Sequence, residues 1–273
     1  MPDFITSRQN EIIKRASRLS SSADFRREQG LFMAEGARLC CDAAKSGAEI
    51  KTLFYTAQAG EKYRDYIGAI QAAAQETYEV EPHVAPLLSD TKTPQGVFCV
   101  CGMRRSADRL DDLKTGLHYL ALENIQDPAN LGAVLRTAEA LGIGGVILGG
   151  SCCDVYSPKV LRASMGAVFR LPFYLQADLV SAIESLNNRG FVTLAAVPNA
   201  AAKKVTAVNF QKPAVLVVGN EGNGLTSAVI AACSEPVTIP MLGRAESLNA
   251  SASAAILMWE MMREKSGGVG NVS

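Results

Sequence analysis

The sequence predicts an α/β protein, with a small α/β domain at the N-terminus and a mostly parallel α/β domain after it. Its 273 residues exceed the roughly 100–200 of one typical domain. Apolar residues make up 48% of the chain and charged residues 20%, which suits a globular protein with a sizeable core. Short apolar runs alternate with longer segments of helical character, the pattern of buried strands covered by helices.

The first segment, residues 5–19, predicts an amphipathic helix with Ile12, Ile13 and Ala16 on its apolar side. The elements expected next are a helix at 36–46, a strand at 50–55, a helix at 62–75, and strands at 77–80 and 97–101. A polar run without periodicity at 104–115 predicts a linker, so the first domain is expected at 1–103.

The second domain is expected at 116–265. The predicted strands are 117–122, 145–148, 191–197, 214–218 and 237–239, and the predicted helices are 130–141, 158–168, 179–188, 225–232 and 249–264. The Gly- and Ser-containing end, 266–273, is expected to be a disordered tail. Because ligands of parallel sheets bind beyond the carboxyl ends of strands, three loops that follow strands become candidate binding loops.

The charge pattern restricts where a nucleic acid could bind. Formal net charge is zero, so the chain lacks the overall basic excess of many nucleic-acid-binding proteins. Between residues 4 and 27, however, six basic residues accompany two acidic ones. The candidate phosphate contacts are Arg8, Lys14, Arg15 and Arg18. The same pattern also fits an ordinary solvated helix face.

Cysteine usage and hydropathy indicate a soluble cytoplasmic protein. Seven cysteines, an odd number, occur without C-x-x-C spacing beside only two histidines, which argues against structural zinc and favours free thiols in a reducing compartment. The N-terminus has no uninterrupted apolar stretch of a secretory signal. No apolar run reaches the roughly 18 residues of a membrane span.

The first candidate loop, residues 124–138, reads N-I-Q-D-P-A-N-L-G-A-V-L-R-T-A and leads from a strand into a helix. Asn130 is predicted to be the helix N-cap. Arg136, six positions later, could direct a forked guanidinium at a phosphate or carboxylate. A capped helix with a solvated arginine explains the same residues equally well.

The second and third loops are rich in residues that allow close backbone approach. Residues 217–225 (V-V-G-N-E-G-N-G-L) hold three glycines around Glu221 but match neither G-x-G-x-x-G nor the P-loop, which argues against a dehydrogenase, a P-loop NTPase and the common Rossmann-type methyltransferases. Residues 239–256 lead into a Ser/Ala-rich helix, where Ser247 and Asn249 offer hydrogen-bonding side chains. A tight turn and a capped, closely packed helix remain alternative interpretations.

Taken in order, the loops resemble the SpoU/TrmH family of SPOUT-class RNA ribose 2′-O-methyltransferases. N-L-G-A-V-L-R-T-A is similar to the first family motif, G-N-E-G-N-G-L to the second and I-P-M-x₅-S-L-N-A-S to the third, and residues 156–172 are also typical. In the N-terminal half, I-T-S-R-Q-N, L-F-M-A-E-G-A-R-L and T-P-Q-G-V resemble the ribosomal-protein-like substrate-binding domain of many members. The resemblance spans nearly the whole chain.

The resemblance implies a trefoil knot in the second domain, S-adenosylmethionine as cofactor, and a homodimer formed through that domain. No metal is expected, in line with the cysteine and histidine pattern. By motif position, the implied cofactor-binding residues are Gly219, Ile239 and Leu248, and Met241 and Val197, at neighbouring strand ends, are expected to contribute. The implied catalytic or substrate-positioning residues are Arg136, Asn130, Glu221, Ser247 and Asn249.

The implied reaction is methylation of a ribose 2′-hydroxyl, with large-subunit rRNA as the expected substrate because ribosomal-protein-like N-terminal domains are typical of rRNA-modifying members. A guanidinium is hardly ever deprotonated, so Arg136 is expected to hold a phosphate and stabilise developing negative charge. The alternatives are a tRNA 2′-O-methyltransferase, a knotted enzyme that methylates a base, and a non-catalytic RNA-binding protein of the same fold.

Overall fold

The computed structural model describes residues 3–104 and 110–266, and side chains as far as 263. Most of the predicted tail (266–273) and the middle of the predicted linker (104–115) therefore lie outside the described residues. The chain forms two compact units, Met1–Arg104 with Asp154–Arg170, and Arg105–Cys153 with Leu171–Ser273. The segment Asp154–Arg170 joins the first unit because its helix α8 (Pro158–Ser164) packs on strand β2 (Leu31–Glu35), which differs from the predicted domain limits.

The first unit is built on a five-stranded sheet in the order β1-β4-β3-β5-β2. Its other strands are β1 (Asp3–Ile5), β3 (Ile50–Tyr55), β4 (Ala74–Val80) and β5 (Val97–Gly102). Strands β1, β4 and β3 run parallel, and β5 is antiparallel to both of its neighbours. The other helices described for this unit are α1 (Glu11–Ser21), α2 (Ala23–Gln29), α3 (Ala37–Lys45), α4 (Ala57–Lys62), α5 (Arg64–Gln71) and α6 (Ala85–Leu88).

Several elements of this unit differ from the sequence predictions. Helix α1 buries Ile13, Ala16 and Leu19, whereas Ile12, predicted on the apolar side, is 38% exposed. The predicted helix at 62–75 is interrupted at Tyr63, which separates α4 from α5, and β4 begins earlier than the predicted strand 77–80. Strand β2 was not predicted, because its three central residues are all buried and the two-residue alternation of a half-exposed strand is absent.

The second unit has a seven-stranded sheet in the order β10-β12-β9-β11-β6-β7-β8, with every pair parallel. The prediction of a mostly parallel α/β fold is therefore confirmed. The strands are β6 (Tyr119–Glu123), β7 (Val146–Gly149), β8 (Phe173–Gln176), β9 (Val192–Ala196), β10 (Lys203–Lys204), β11 (Ala214–Val218) and β12 (Glu235–Thr238). The α-helices described here are α7 (Pro128–Ala140), α9 (Leu179–Asn188), α10 (Ser227–Ala232) and α11 (Ala250–Ser266).

The central strands explain why this sheet is buried on both faces. All five residues of β6 and of β11 are buried, which is typical of parallel strands covered by helices on either side. The end of the predicted linker also belongs to this core, since Leu110 and Leu113 are buried in it and Arg189 donates hydrogen bonds to both of their carbonyl groups. The parallel arrangement brings the carboxyl ends of the strands to one edge.

Within the described ranges, no helix is long and apolar enough to cross a membrane. The seven cysteines are free, and Cys40, Cys41, Cys99 and Cys101 are buried in the first unit. Burial raises the pKa of the Cys99 and Cys101 thiols well above the usual range, so these two groups stay protonated. Among the residues that the structure describes, no group of His, Cys, Asp and Glu could hold a metal ion.

Candidate active site

A cavity of about 590 Å³ lies at the carboxyl ends of β9, β11 and β12 in the second unit. Every predicted cofactor-binding residue lines it: Val197, Gly219, Ile239, Met241 and Leu248. Apolar side chains form much of the wall, and the loops after the three strands supply backbone groups. Such a cavity suits a flat organic ligand whose polar edge is held by backbone atoms.

The loop after β11 is closed on itself by backbone hydrogen bonds. The amide of Asn220 donates to the Gly224 carbonyl at 3.1 Å, and the Gly224 amide donates back at 3.0 Å. A Cβ atom on Gly219 would lie 2.3 Å from the carbonyl carbon of Gly224, so only glycine fits there. The side chain of Asn220 accepts hydrogen bonds from the amides of Gly222 and Asn223, which fixes the turn.

The three predicted loops meet through a chain of side-chain hydrogen bonds. Asn130 on α7 donates from Nδ2 to Oε1 of Glu221 at 3.0 Å. Asn249 donates from Nδ2 to Oδ1 of Asn130 at 3.1 Å. Oδ1 of Asn249 in turn accepts a hydrogen bond from the Ser251 amide at the start of α11. Asn130 is thus the centre of a polar cluster that connects residues from all three loops.

The prediction that Asn130 caps its helix is wrong. Helix α7 begins at Pro128, and the N-cap is Asp127, whose side chain accepts a hydrogen bond from the Ala129 amide at 2.9 Å. The Asp-Pro pair is itself a helix-start signal, because Pro is favoured at the first helical position and Asp at the N-cap. Asn130 instead lies inside the first turn, buried, with its amide free to bind Glu221.

Glu221 is held in its ionised form by its surroundings. Partial burial by itself raises the pKa of this carboxyl, but hydrogen bonds from Asn130 and from nearby backbone amides, including those of Gln126 and Asp127, outweigh it. The net result is a pKa below the ordinary value of 4.5. At neutral pH Glu221 is therefore a carboxylate that accepts hydrogen bonds and anchors the loop to the start of α7.

Arg136 and Ser247 complete the set of predicted polar residues. Ser247 lines the cavity together with Glu221. Arg136 lies on the exposed side of α7 and makes no ion pair within the part of the chain that the structure describes. Six residues correspond to about 240° around a helix axis, so Arg136 faces a different direction from Asn130 and is not among the cavity-lining residues.

A family model described as "SpoU rRNA Methylase family" matches residues 118–259, which include the cavity and the polar cluster. The chain belongs to this family. A second model, described as "MRM3-like substrate binding domain", matches residues 10–99. The resemblance inferred from the three motifs is therefore confirmed over both halves of the chain.

Named relatives match this chain over almost its whole length. A Synechocystis protein named as an uncharacterized tRNA/rRNA methyltransferase is 32% identical over 96% of this chain and 94% of its own length. The 23S rRNA (guanosine(2553)-2′-O)-methyltransferase RlmP of Bacillus subtilis is 29% identical over 94% of this chain and 98% of its own. A crystal structure of an AdoMet-bound rRNA methyltransferase from Sinorhizobium meliloti has a TM-score of 0.84 at 32% identity, covering 96% of this chain and 98% of that one.

The structure of this SpoU family member also reveals site residues that sequence reasoning missed. Glu123, at the end of β6, is buried and accepts hydrogen bonds at 2.8 Å from both the amide and the hydroxyl of Thr226. Asn124 follows with a positive φ of 56°, and its Oδ1 accepts a hydrogen bond from the Ser151 amide. Its carbonyl accepts a hydrogen bond from Asn220. These contacts connect the carboxyl ends of β7, β6 and β11.

The predicted RNA-binding residues Arg8, Lys14, Arg15 and Arg18 are all exposed in the first unit. Lys14 pairs with Glu11 one helical turn away, and Arg18 lies 3.9 Å from the ring centre of Phe25.

A fifth basic residue of the same segment, Arg26, is not available to a ligand. It is buried, donates to the Leu19 carbonyl and pairs with Asp154 at 2.6 Å. Part of the local basic excess therefore serves the core of the first unit, and the exposed basic surface is smaller than the sequence suggests.

Proposed function

We propose that this protein transfers a methyl group from S-adenosylmethionine to a ribose 2′-hydroxyl of large-subunit rRNA. The observation that carries the proposal is the meeting of Asn130, Glu221 and Asn249, one residue from each family motif, in one polar cluster in the same unit as the cavity. The name of the Bacillus subtilis relative supports the reaction and the substrate class. The cofactor in the Sinorhizobium meliloti structure supports the choice of methyl donor.

The cavity fits S-adenosylmethionine by size and chemistry. Its apolar walls suit the adenine ring, and the tight loop at Gly219 brings backbone groups to the cavity where a Cβ would not fit. The residues that would hold the cofactor are Val197, Gly219, Ile239, Met241 and Leu248. When bound, the cofactor supplies an electrophilic methyl group.

The protein's own residues would align the ribose and stabilise the charge that develops during methyl transfer. Asn130, Glu221 and Asn249 fix the loops that position the ribose, and Ser247 adds a hydroxyl at the cavity. A guanidinium is a poor proton acceptor in proteins, so we do not assign Arg136 the role of base. Its guanidinium is exposed and does not line the cavity, so we assign it to the part of the RNA outside the cavity, where it holds the nucleotide phosphate and its positive charge favours the negative charge that develops on the attacking oxygen.

Arg136 substitutions test this assignment. Arg136→Ala should lower kcat by roughly 10²–10³-fold, as removal of a charge-stabilising donor commonly does, whereas Arg136→Lys should retain much of the activity because it keeps the positive charge. Single-turnover methyl transfer at saturating RNA is the measurement. Near-normal transfer by Arg136→Ala would eliminate any catalytic role for this residue.

The same proposal includes a trefoil knot in the second domain, a homodimer formed through that domain, and action in the cytoplasm. On α11, Ile256 is 42% exposed and Trp259 is 54% exposed, and apolar side chains of this size suit a subunit interface. Sedimentation of the wild type and of Trp259→Glu tests the dimer. A monomeric wild type would contradict it.

The function itself is tested with tritiated S-adenosylmethionine and two substrates, unmodified large-subunit rRNA and tRNA transcripts. We expect label in the rRNA and, after nuclease digestion and mass spectrometry, a 2′-O-methylated nucleoside. Label only in tRNA would favour the tRNA-specific alternative, and a methylated base would favour the base-modifying one. The absence of label from both RNAs would leave a non-catalytic RNA-binding protein.

A further inference from the structure

The first unit contains a groove of about 470 Å³ that takes no part in the site described above. It lies beside the first residues of β3 and β4 and against one side of α1. Its volume falls within the roughly 300–1,000 Å³ of small-ligand pockets, so it is large enough for one nucleotide. The lining combines apolar and aromatic side chains with polar and charged ones. The apolar side chains suit one part of a nucleotide and the polar side chains suit another.

The apolar part of the groove is built on an aromatic pair. The ring of Tyr78 stacks on that of Phe54, with centroids 5.7 Å apart and planes 21° from parallel. Phe54 is fully buried and holds the pair in place, whereas Tyr78 is only half-buried and lines the groove. Ile12 of α1 contributes an exposed apolar side chain to the same lining. A planar base fits such a surface, because unpaired RNA bases are commonly bound by stacking on aromatic rings.

The polar part of the lining carries charge suited to a phosphate. Arg15 hydrogen-bonds the neutral side chain of Gln29 and makes no ion pair in the described part of the chain, although the carboxylate of Glu76 lines the same groove. Lys51 also lines the groove but is paired with Glu49. Arg18, one turn along α1 from Arg15, and Arg8, in the turn before α1, add positive charge without a carboxylate partner among the described residues. This basic strip is complementary to an RNA backbone.

We propose that the groove binds one unpaired nucleotide of the RNA substrate, with the base on Tyr78 and the adjoining phosphate on Arg15. Gln75 and Glu76, which line the groove at the start of β4, would hydrogen-bond the polar edge of the base. That the polynucleotide is RNA rests on the proposed function. The groove would thus be a site in the N-terminal unit that helps to select the RNA, and it lies largely in the segment that the substrate-binding model matches.

Two variants test the stacking, and a third tests the phosphate contact. Tyr78→Leu should weaken the affinity for an unmodified large-subunit rRNA transcript roughly tenfold, because it removes the ring, whereas Tyr78→Phe should bind like the wild type. Arg15→Gln should also weaken binding, and it should reduce the slope of log affinity against log salt by roughly one phosphate contact. The KM for RNA should rise in parallel, with kcat at saturating RNA and the Kd for S-adenosylmethionine unchanged.

Helix α5 provides matched controls, because Tyr66 and Arg64 are exposed there and do not line the groove. Tyr66→Leu and Arg64→Gln should leave RNA affinity and its salt dependence unchanged. Equal RNA affinity of folded Tyr78→Leu and wild type would overturn the proposal and leave the groove to a protein partner. Equal losses in Tyr78→Leu and Tyr66→Leu would overturn it too, since the effect would not be specific to the groove.

Cross-linking of the wild-type protein tests the site without any substitution. The rRNA transcript is prepared with 4-thiouridine, bound and irradiated, and the cross-linked peptides are identified by mass spectrometry. We expect cross-links on peptides that contain Arg15 or Tyr78. RNA that cross-links only to other peptides would overturn the proposal that the groove binds RNA, and it would leave the proposed methyl transfer unaffected. A wild type that binds RNA through the groove but transfers no methyl group would instead contradict the proposed function alone.

Discussion

Asn130 donates a hydrogen bond to Glu221 at 3.0 Å, although the two residues are 91 positions apart in the sequence. A carboxylate can only accept hydrogen bonds, so the amide of Asn130 must present its nitrogen to Glu221 and its oxygen to Asn249. One amide thereby orients two loops at once. An aspartate at position 130 could not do this, because it would place a second negative charge against Glu221.

The first prediction concerns the pKa of Glu221. Asn130→Ala removes a donor that stabilises the carboxylate, so the pKa of Glu221 should rise, as measured by titration of its ¹³C-labelled carboxyl group by NMR. Because the native pKa is lowered, this contact contributes stability that is present above the ordinary value of 4.5 and lost as the pH falls through the native value. The stability difference between wild type and variant should therefore shrink in acid.

Asn249→Ala serves as the control for this titration. It removes the hydrogen bond to Asn130 but no direct donor to Glu221, so the shift in the Glu221 pKa should be smaller. An unchanged Glu221 pKa in Asn130→Ala would show that the backbone amides and the Asn220 side chain hold the carboxylate without Asn130.

Local patterns in the sequence were enough to predict the three loops and the parallel sheet. Glycine clusters and polar residues directly after apolar runs mark strand-to-helix turns, and buried strands such as β11 show as uninterrupted apolar segments. The expected cofactor-binding residues came instead from the family resemblance, and they line one cavity because the carboxyl ends of parallel strands share one edge.

Contacts between distant residues could not be predicted in this way. The hydrogen bonds between Glu123 and Thr226 join positions 103 residues apart, and the bond between Arg26 and Asp154 joins positions 128 apart. No local pattern pairs such residues, because a buried charged residue and an exposed one look the same in the sequence around them. The same limitation explains why the sequence alone does not distinguish the buried Arg26 from the exposed basic residues of the N-terminal segment.

The second prediction concerns the glycine at the end of β11. Gly219→Ala should abolish S-adenosylmethionine binding, because its Cβ would meet the backbone of Gly224 and Leu225 at 2.3–2.4 Å and force the loop open. Isothermal titration calorimetry measures the loss. Gly222→Ala meets nothing closer than Asn220 at 3.5 Å, and Gly243→Ala has open space around it, so both should retain binding. Equal losses in all three variants would contradict the steric argument.

The third prediction concerns the buried carboxylate of Glu123. Glu123→Ala leaves the amide and hydroxyl of Thr226 without their acceptor, which should cost about 1–3 kcal/mol of unfolding free energy and weaken cofactor binding through the adjacent loop. Glu123→Gln keeps one acceptor oxygen and should lose less. Urea denaturation provides the measurement, with the exposed Glu184→Gln on α9 as the control. A loss in Glu123→Ala no larger than in Glu184→Gln would contradict this role.

The fourth prediction compares two neighbouring arginines that differ in burial. Arg26 has a side chain only 5% exposed and pairs with Asp154, whereas Arg27 is 66% exposed and pairs with Asp24. Arg26→Met should lower the unfolding free energy by about 3–5 kcal/mol, because it leaves the Asp154 carboxylate poorly solvated and unpaired. Arg27→Met should cost under about 1 kcal/mol, as expected for an exposed pair.

A double variant separates the pairing from the packing of Arg26. Arg26→Met with Asp154→Asn removes both charges, so it should be more stable than Arg26→Met alone if the uncompensated carboxylate is the main cost. Chemical denaturation monitored by circular dichroism measures the unfolding free energy of the wild type, Arg26→Met, Arg27→Met and the double variant. A double variant less stable than Arg26→Met would instead assign the cost to lost packing and to the Leu19 carbonyl, which Arg26 also binds.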